Sequence, residues 1–314
     1  MADVAKKVTL STIGLLSKME LQYVAPEGYK IDIRYAQSNK AAATALETVG
    51  DLKKGIAIGP NVILRLSSQE DAELLQRFVD FTGRLRNELS VYVLESSIDI
   101  DSEPNNPTNS EKQDNLTTNI KNVVTAFRLL KPEFIEANIK IGLSRPNEHE
   151  LYFNSDHGLY QNFTGFLYWD SSNTLYKLEI SELPEVRALA ERISAIDFTK
   201  RSALRIALDR FEKLYYERYL EDQLIDCMIA FEALLIGKKS RDQGSIIPVA
   251  AAMLLGKTEE ERQEITDVME TAYNIRNCIV HGSDYQQKLS KKLEMATFTR
   301  NVESILRSCI KKLL

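Results

Sequence analysis

Tyr273-Asn274-Ile275-Arg276-Asn277-Cys278-Ile279-Val280-His281-Gly282 closes a helical pattern that spans Glu259 to Val280. Turned at about 100° per residue, the apolar arc of that helix holds Ile265, Val268, Met269, Ala272, Ile275, Ile279 and Val280. Arg276 falls inside the arc. Asn277 and His281, four residues apart, share a neighbouring stripe, with Tyr273 one turn before them. Gly282 follows at the place where a helix end calls for a left-handed residue, and Gly237 and Gly256 carry the same signal after earlier helical stretches. His281 thus comes last in its helix, at the end that carries partial negative charge and favours a protonated imidazole.

A second helix, Asp222 to Ile236, repeats the anomaly. Its apolar arc holds Leu224, Ile225, Met228, Ile229, Phe231 and Leu235, and Glu232 lies within it, while Asp222 and Asp226 sit at the outer edge. A lone charge on a core-facing stripe costs several kcal/mol unless it is paired or opens onto a cleft. The pattern therefore predicts that Glu232 and Arg276 face each other or share a polar pocket between the two helices. A buried ion pair without chemistry satisfies the same physics.

Outward from these helices the C-terminal part reads as all-α. Helical patterns cover Pro184 to Ile196, Ser202 to Leu220, Asp222 to Ile236, Glu259 to Val280 and Lys288 to Leu313, with a shorter one near Ile246 to Leu255. Pro184 suits a first helical turn, and strand signals stop there, which places a boundary near 181–184: an α+β domain over 1–183, then a helical domain over 184–314. In the first part, Lys30 to Tyr35, Asn61 to Leu66 and Ser90 to Leu94 read as strands, Glu70 to Leu89 and Asn119 to Leu130 as helices, and Leu151 to Ile180 as an aromatic-rich β-like region. The polar run Asp99 to Asn115 has no hydrophobic period and predicts a flexible loop.

The whole chain carries 40 Lys and Arg against 45 Asp and Glu, which argues against charge-driven coating of nucleic acid. The imbalance is local. After His281 there are seven basic residues (Lys288, Lys291, Lys292, Arg300, Arg307, Lys311 and Lys312) against three acidic ones, a run that suits phosphate contacts and equally reads as a solvated helix face. Cys227, Cys278 and Cys309 form no CxxC pair; their sparse, odd count fits a reducing compartment, each packing as a small apolar residue. No stretch approaches the ~20 apolar residues of a membrane span, and Val8 to Leu16 leads into no cleavage site. The expected setting is the cytoplasm, with no metal and no cofactor.

Arg276-Asn277-x-x-x-His281 is similar to the Arg-x(4–6)-His signature of HEPN ribonucleases, in which a polar residue often follows the arginine. The run Glu221 to Leu235, then the alanine- and leucine-rich Ala250 to Gly256, then Tyr273 to Gly282, resembles the Apea-like HEPN branch in residue type and order, over about 200–314. The resemblance implies a metal-independent endoribonuclease in which an RNA 2′-hydroxyl attacks the adjacent phosphate. His281 would be general acid or base, Arg276 would stabilise charge on the transferring phosphate, and Asn277 would orient the phosphate or His281. Glu232 would hold Arg276, with Asp226 and Tyr273 in support. It also implies a homodimer through the helical domain, with both motifs in one cleft, and a setting in anti-phage defence or as a toxin restrained by a protein antitoxin or released by a phage-derived trigger. Gly282-Ser283-Asp284-Tyr285 departs from the His-x-Tyr pattern of HEPN toxins silenced at that tyrosine. The rival reading is a noncatalytic HEPN-like dimerisation or binding module whose Glu232–Arg276 pair is structural.

Overall fold

The computed structural model describes residues 8–17, 19–21, 51–66, 68, 92–100, 108–132, 135–145, 149–155, 176–217, 219–236, 243–289 and 294–314. The chain divides into two compact units, one formed by Met1–Gly158 with Thr174–Ser194, the other by Leu159–Asn173 with Ala195–Leu314.

The first unit is α+β. Strands β1 (Val8–Ser17), β3 (Ile56–Gly59), β4 (Val62–Leu66), β5 (Tyr92–Ile100), β6 (Glu136–Arg145) and β7 (His149–Ser155) form one sheet in the order β3-β4-β5-β1-β6-β7, every pair antiparallel. β2 (Met19–Leu21) and β8 (Tyr176–Leu178) form a separate parallel pair. The alternation read in Asn61 to Leu66 sets the register: Val62 lies opposite Ser96 and Leu64 opposite Leu94, all four buried. On the other face Arg65 meets Glu95 at 2.6 Å. Helices α1 (Thr108–Leu130) and α2 (Leu183–Ser194) supply the rest of the core through Leu116, Ile120, Val123, Phe127, Val186, Leu189 and Ala190. They come close at Gly59, where a Cβ would stand 2.7 Å from Val123 Cγ2, so only glycine fits.

Two expectations change here. The boundary moves: Val186, Leu189, Ala190 and Ile193 bury α2 in the first unit, so Pro184 marks the start of a helix and not the start of a domain. The expected loop over Asp99 to Asn115 is largely regular structure, since β5 runs through Ile100 and α1 begins at Thr108; 101–107 lie outside the described residues. Asp114 and Asn115 are exposed, and a helix that extends into solvent carries no apolar stripe to read. The strand expected at Lys30 to Tyr35 and the helix at Glu70 to Leu89 lie outside the described residues, as does most of Leu151 to Ile180, within which the end of β7 and all of β8 are seen.

The second unit is all-helical among the described residues: α3 (Ser202–Leu214), α4 (Leu220–Leu235), α5 (Gln243–Leu255), α6 (Glu259–Val280) and α7 (Met295–Leu313), with a 3-10 turn at Gln286–Lys288. α4 is the central helix, packed on α3, α5, α6 and α7. It buries Leu224, Cys227, Met228, Ala230 and Phe231, each worth about 1.5–3 kcal/mol if large and fully enclosed. The last helix begins at Met295, seven residues later than its pattern suggests, because Gln286–Lys288 turns separately. No helix among the described residues is long and apolar enough to cross a membrane.

Candidate functional site

α6 is closed at both ends by local sequence. At its start Thr258 accepts a hydrogen bond from the Glu261 amide at 3.2 Å while the Glu261 carboxylate receives the Thr258 amide, a reciprocal capping box. At its end Gly282 adopts φ +68°, its amide donates to the Ile279 carbonyl, and the Ser283 amide donates to the Cys278 carbonyl at 2.8 Å. This paired reversal is the Schellman arrangement, and it makes His281 the C-cap that follows the last helical residue, Val280. Gly256, by contrast, is not left-handed; it is kept for space, since a Cβ there would meet Arg262 Cγ at 2.6 Å and the Ala252 carbonyl at 2.9 Å. Gly237 lies outside the described residues. Nothing lies within 4 Å of a Cβ built on Gly282, so Gly282→Ala meets only backbone strain. It is expected to cost about 1–2 kcal/mol, read as a fall in thermal midpoint, with Gly282→Asn costing less. A loss as large for Asn as for Ala would show that something other than the left-handed backbone is at stake.

The predicted pairing of α4 and α6 is present. Arg276 Nη2 lies 3.3 Å from Glu232 Oε1, with the two side chains 24% and 22% exposed. The site is therefore half-buried and opens to solvent, so the two charges are both paired and partly solvated. Arg276 Nη1 donates to Asn277 Oδ1 at 3.2 Å. Arg276 Nε is sealed from solvent and has no hydrogen-bond partner. His281 is exposed one turn beyond Asn277, whose carbonyl receives the His281 amide. So Glu232, Arg276 and Asn277 form one connected polar group, and His281 stands at the open end of the same helix.

No family model, curated protein or solved structure matches the chain.

The two remaining expected site residues make other contacts. Asp226 is 2% exposed and is gripped by α3, with Arg210 Nη1 at 2.7 Å from Oδ1 and Lys213 Nζ at 2.8 Å from Oδ2. It fastens α3 to α4 rather than supporting Arg276, and its bond raises the Lys213 ammonium above its ordinary range. Tyr273 sets its ring against Gly244 of α5, where a Cβ would come within 2.8 Å of the ring. Cys227 and Cys309 are buried as expected; burial pushes both thiols up, Cys309 to about 12.

Two features escaped the sequence reading. Tyr285 donates to Glu221 Oε1 at 2.5 Å, tying the turn after His281 to the first turn of α4; this bond, with burial, pushes the phenol up to about 12. Arg307 is not part of a solvated basic face. It is 6% exposed, bonded to Glu303 one turn earlier and to the Tyr215 hydroxyl at 3.3 Å, with its guanidinium 6.0 Å from the Phe211 ring centroid. The wheel of α7 contains the signal, because Glu303 and Arg307 alternate with Val302, Leu306 and Ile310 on the buried face.

Burial holds the Glu303 carboxyl up at about 7, with the Arg307 charge pulling it back. A carboxyl with a folded value above its unfolded one stabilises the fold fully below the unfolded value, and that contribution is lost as pH rises through the folded one. Stability should therefore decline between about pH 4.5 and 7 through this group. Glu303→Gln should flatten that slope in thermal denaturation at pH 5, 6, 7 and 8; a slope unchanged by the substitution would remove Glu303 from its cause. Among the described residues no group of three or more His, Cys, Asp or Glu is placed to hold a metal ion.

Proposed function

We propose that the helical unit is a HEPN-type, metal-independent endoribonuclease. The observation that supports this most is the connected Glu232–Arg276–Asn277 group one helical turn before an exposed, helix-terminal His281. The reaction needs few groups. The RNA 2′-oxygen forms a bond to the adjacent phosphorus, the bond to the 5′-oxygen breaks, and a 2′,3′-cyclic phosphate and a 5′-hydroxyl result. One proton leaves the 2′-hydroxyl and one reaches the departing oxygen, and imidazole is the side chain suited to both transfers near neutral pH. The Arg276–Asn277 pair serves the phosphate with fixed donors, which need no reorganisation as charge builds. One copy offers one histidine at this site, so in this reading the site is completed by a second copy of the chain, whose His281 carries the other proton. The setting in this reading is cytoplasmic defence against phage, or a toxin held by a protein antitoxin.

Total RNA incubated with the full chain and with an Arg276→Ala/His281→Ala double variant tests the reading. The full chain should release fragments with cyclic phosphate ends, in EDTA as well as without it, and the double variant should not. Equal cleavage by both, or cleavage by neither of any RNA tried, sinks the assignment.

The half-buried Glu232–Arg276 pair also favours a second reading, a noncatalytic dimerisation or binding module in which the pair is structural. It predicts no cleavage, with Arg276→Ala destabilising and His281→Ala silent.

A further inference from the structure

We infer that Tyr285 and Glu221 form a strap that holds His281 in place for proton transfer, which makes both of them positioning residues of the cleavage reaction. The inference rests on the ribonuclease reading. α6 ends in the open: Val280 is 52% exposed, and every residue of 281–288 is exposed except Tyr285. Exposed helix ends fray. Here the turn is held by three backbone bonds, from the amides of His281, Gly282 and Ser283 to the carbonyls of Asn277, Ile279 and Cys278. A general acid or base that frays with its helix loses the geometry its reaction needs. Tyr285 supplies an anchor beyond the turn. Its backbone is set locally: Asp284 Oδ1 accepts the Gln286 amide at 2.9 Å, and the Tyr285 carbonyl accepts the Lys288 amide at 2.8 Å. Its hydroxyl donates to Glu221 Oε1 at 2.5 Å. Glu221 and Glu232 lie on one face of α4, about three turns and about 20° apart. The chain around His281 is therefore tied to that face at two points, by Arg276 on Glu232 before the histidine and by Tyr285 on Glu221 after it. The bond to Glu221, with burial, pushes the phenol up to about 12, so the strap keeps its donor throughout the range in which imidazole titrates.

The test compares the full chain with Tyr285→Phe, Glu221→Gln, Glu221→Ala and the Tyr285→Phe/Glu221→Ala double variant. The probe is a labelled RNA carrying a site that the unsubstituted chain cuts in total RNA. Single-turnover rates are taken at a temperature where circular dichroism shows every variant folded. Tyr285→Phe should lower the maximal rate by about tenfold, while the RNA concentration at half-maximal rate shifts by less than about twofold, since the strap does not touch RNA. Glu221→Gln keeps an acceptor for the hydroxyl and should cleave within about threefold of the unsubstituted rate. Glu221→Ala should match Tyr285→Phe, and the double variant should be no slower than either, because a pair acting as one unit is lost only once. The pH profile of Tyr285→Phe should keep its shape, as the phenol transfers no proton in the reaction. Cleavage by Tyr285→Phe at the unsubstituted rate, a loss confined to the RNA concentration dependence, a changed pH profile, or effects that multiply in the double variant would each overturn the inference while the ribonuclease reading stands. No cleavage of any RNA by the unsubstituted chain overturns both.

Discussion

Replacing His281 with alanine is expected to lower the rate of RNA cleavage by about 10²- to 10⁴-fold, the range for removal of a general acid or base. Folding stability should stay within about 0.5 kcal/mol, because the side chain is exposed and the helix end is closed by the backbone amides of Gly282 and Ser283. Arg276→Ala should behave differently. It removes the partner of the half-buried Glu232 and the donor to Asn277, so it lowers both cleavage and stability, the latter by about 1–3 kcal/mol for a polar group left without its partner. The contrast separates the two readings of the site. In the binding-module reading the arginine substitution keeps its stability effect and the histidine substitution has no measurable consequence. Single-turnover cleavage and thermal denaturation on the same preparations decide it. A His281→Ala protein that cleaves at the unsubstituted rate would remove histidine from the chemistry.

The second large effect belongs to α7. Glu303→Ala should destabilise the helical unit by about 3–5 kcal/mol, because it leaves the guanidinium of Arg307 buried without its carboxyl partner, and a guanidinium does not shed its charge. At such a cost the thermal midpoint falls by about 10 °C or more. Arg307→Ala is expected to be milder at low pH. The Glu303 left behind titrates at about 7 even beside the arginine, so below that value it takes a proton and sheds its burden. The two substitutions should therefore be unequal at pH 5 and draw together at pH 8. Chemical denaturation at those two pH values is the measurement, and equal losses at pH 5 would show that the Arg307 side chain finds solvent when its partner is removed.

The helical unit was legible because its signals are local. Thr258 and Glu261 mark one end of α6, Gly282 marks the other, and the predicted span Glu259 to Val280 matches the helix residue for residue. The Glu232–Arg276 pair was legible for a related reason: two charges on two apolar arcs leave few places to go. Glu303 and Arg307 obey the same rule on one helix, but a basic tail invites the solvated reading, and composition hid what the wheel contains. Asp226 shows the limit of the method. An acid at the edge of an arc can turn to either neighbour, and only the packing of α3, which brings Arg210 and Lys213 to it, settles which. In the first unit the two ends of α1 had opposite legibility. Its last turns carry Val123, Phe127 and Leu129 over the sheet, whereas Asp114 and Asn115 lie over nothing.

The two closed ends of α6 also make it a ruler. Capping box and Schellman turn are each self-contained, so both survive if a residue is inserted between them. Every side chain beyond the insertion then swings by about 100°. Arg276 would leave Glu232, Ile275 would leave the core, and His281 would still be followed by its glycine in a helix whose circular dichroism hardly changes. The spacing between Thr258 and Gly282 is thus a quantity under constraint in its own right, apart from the identity of any residue between them: substitutions there are graded in effect, while a change of length by one is all or nothing.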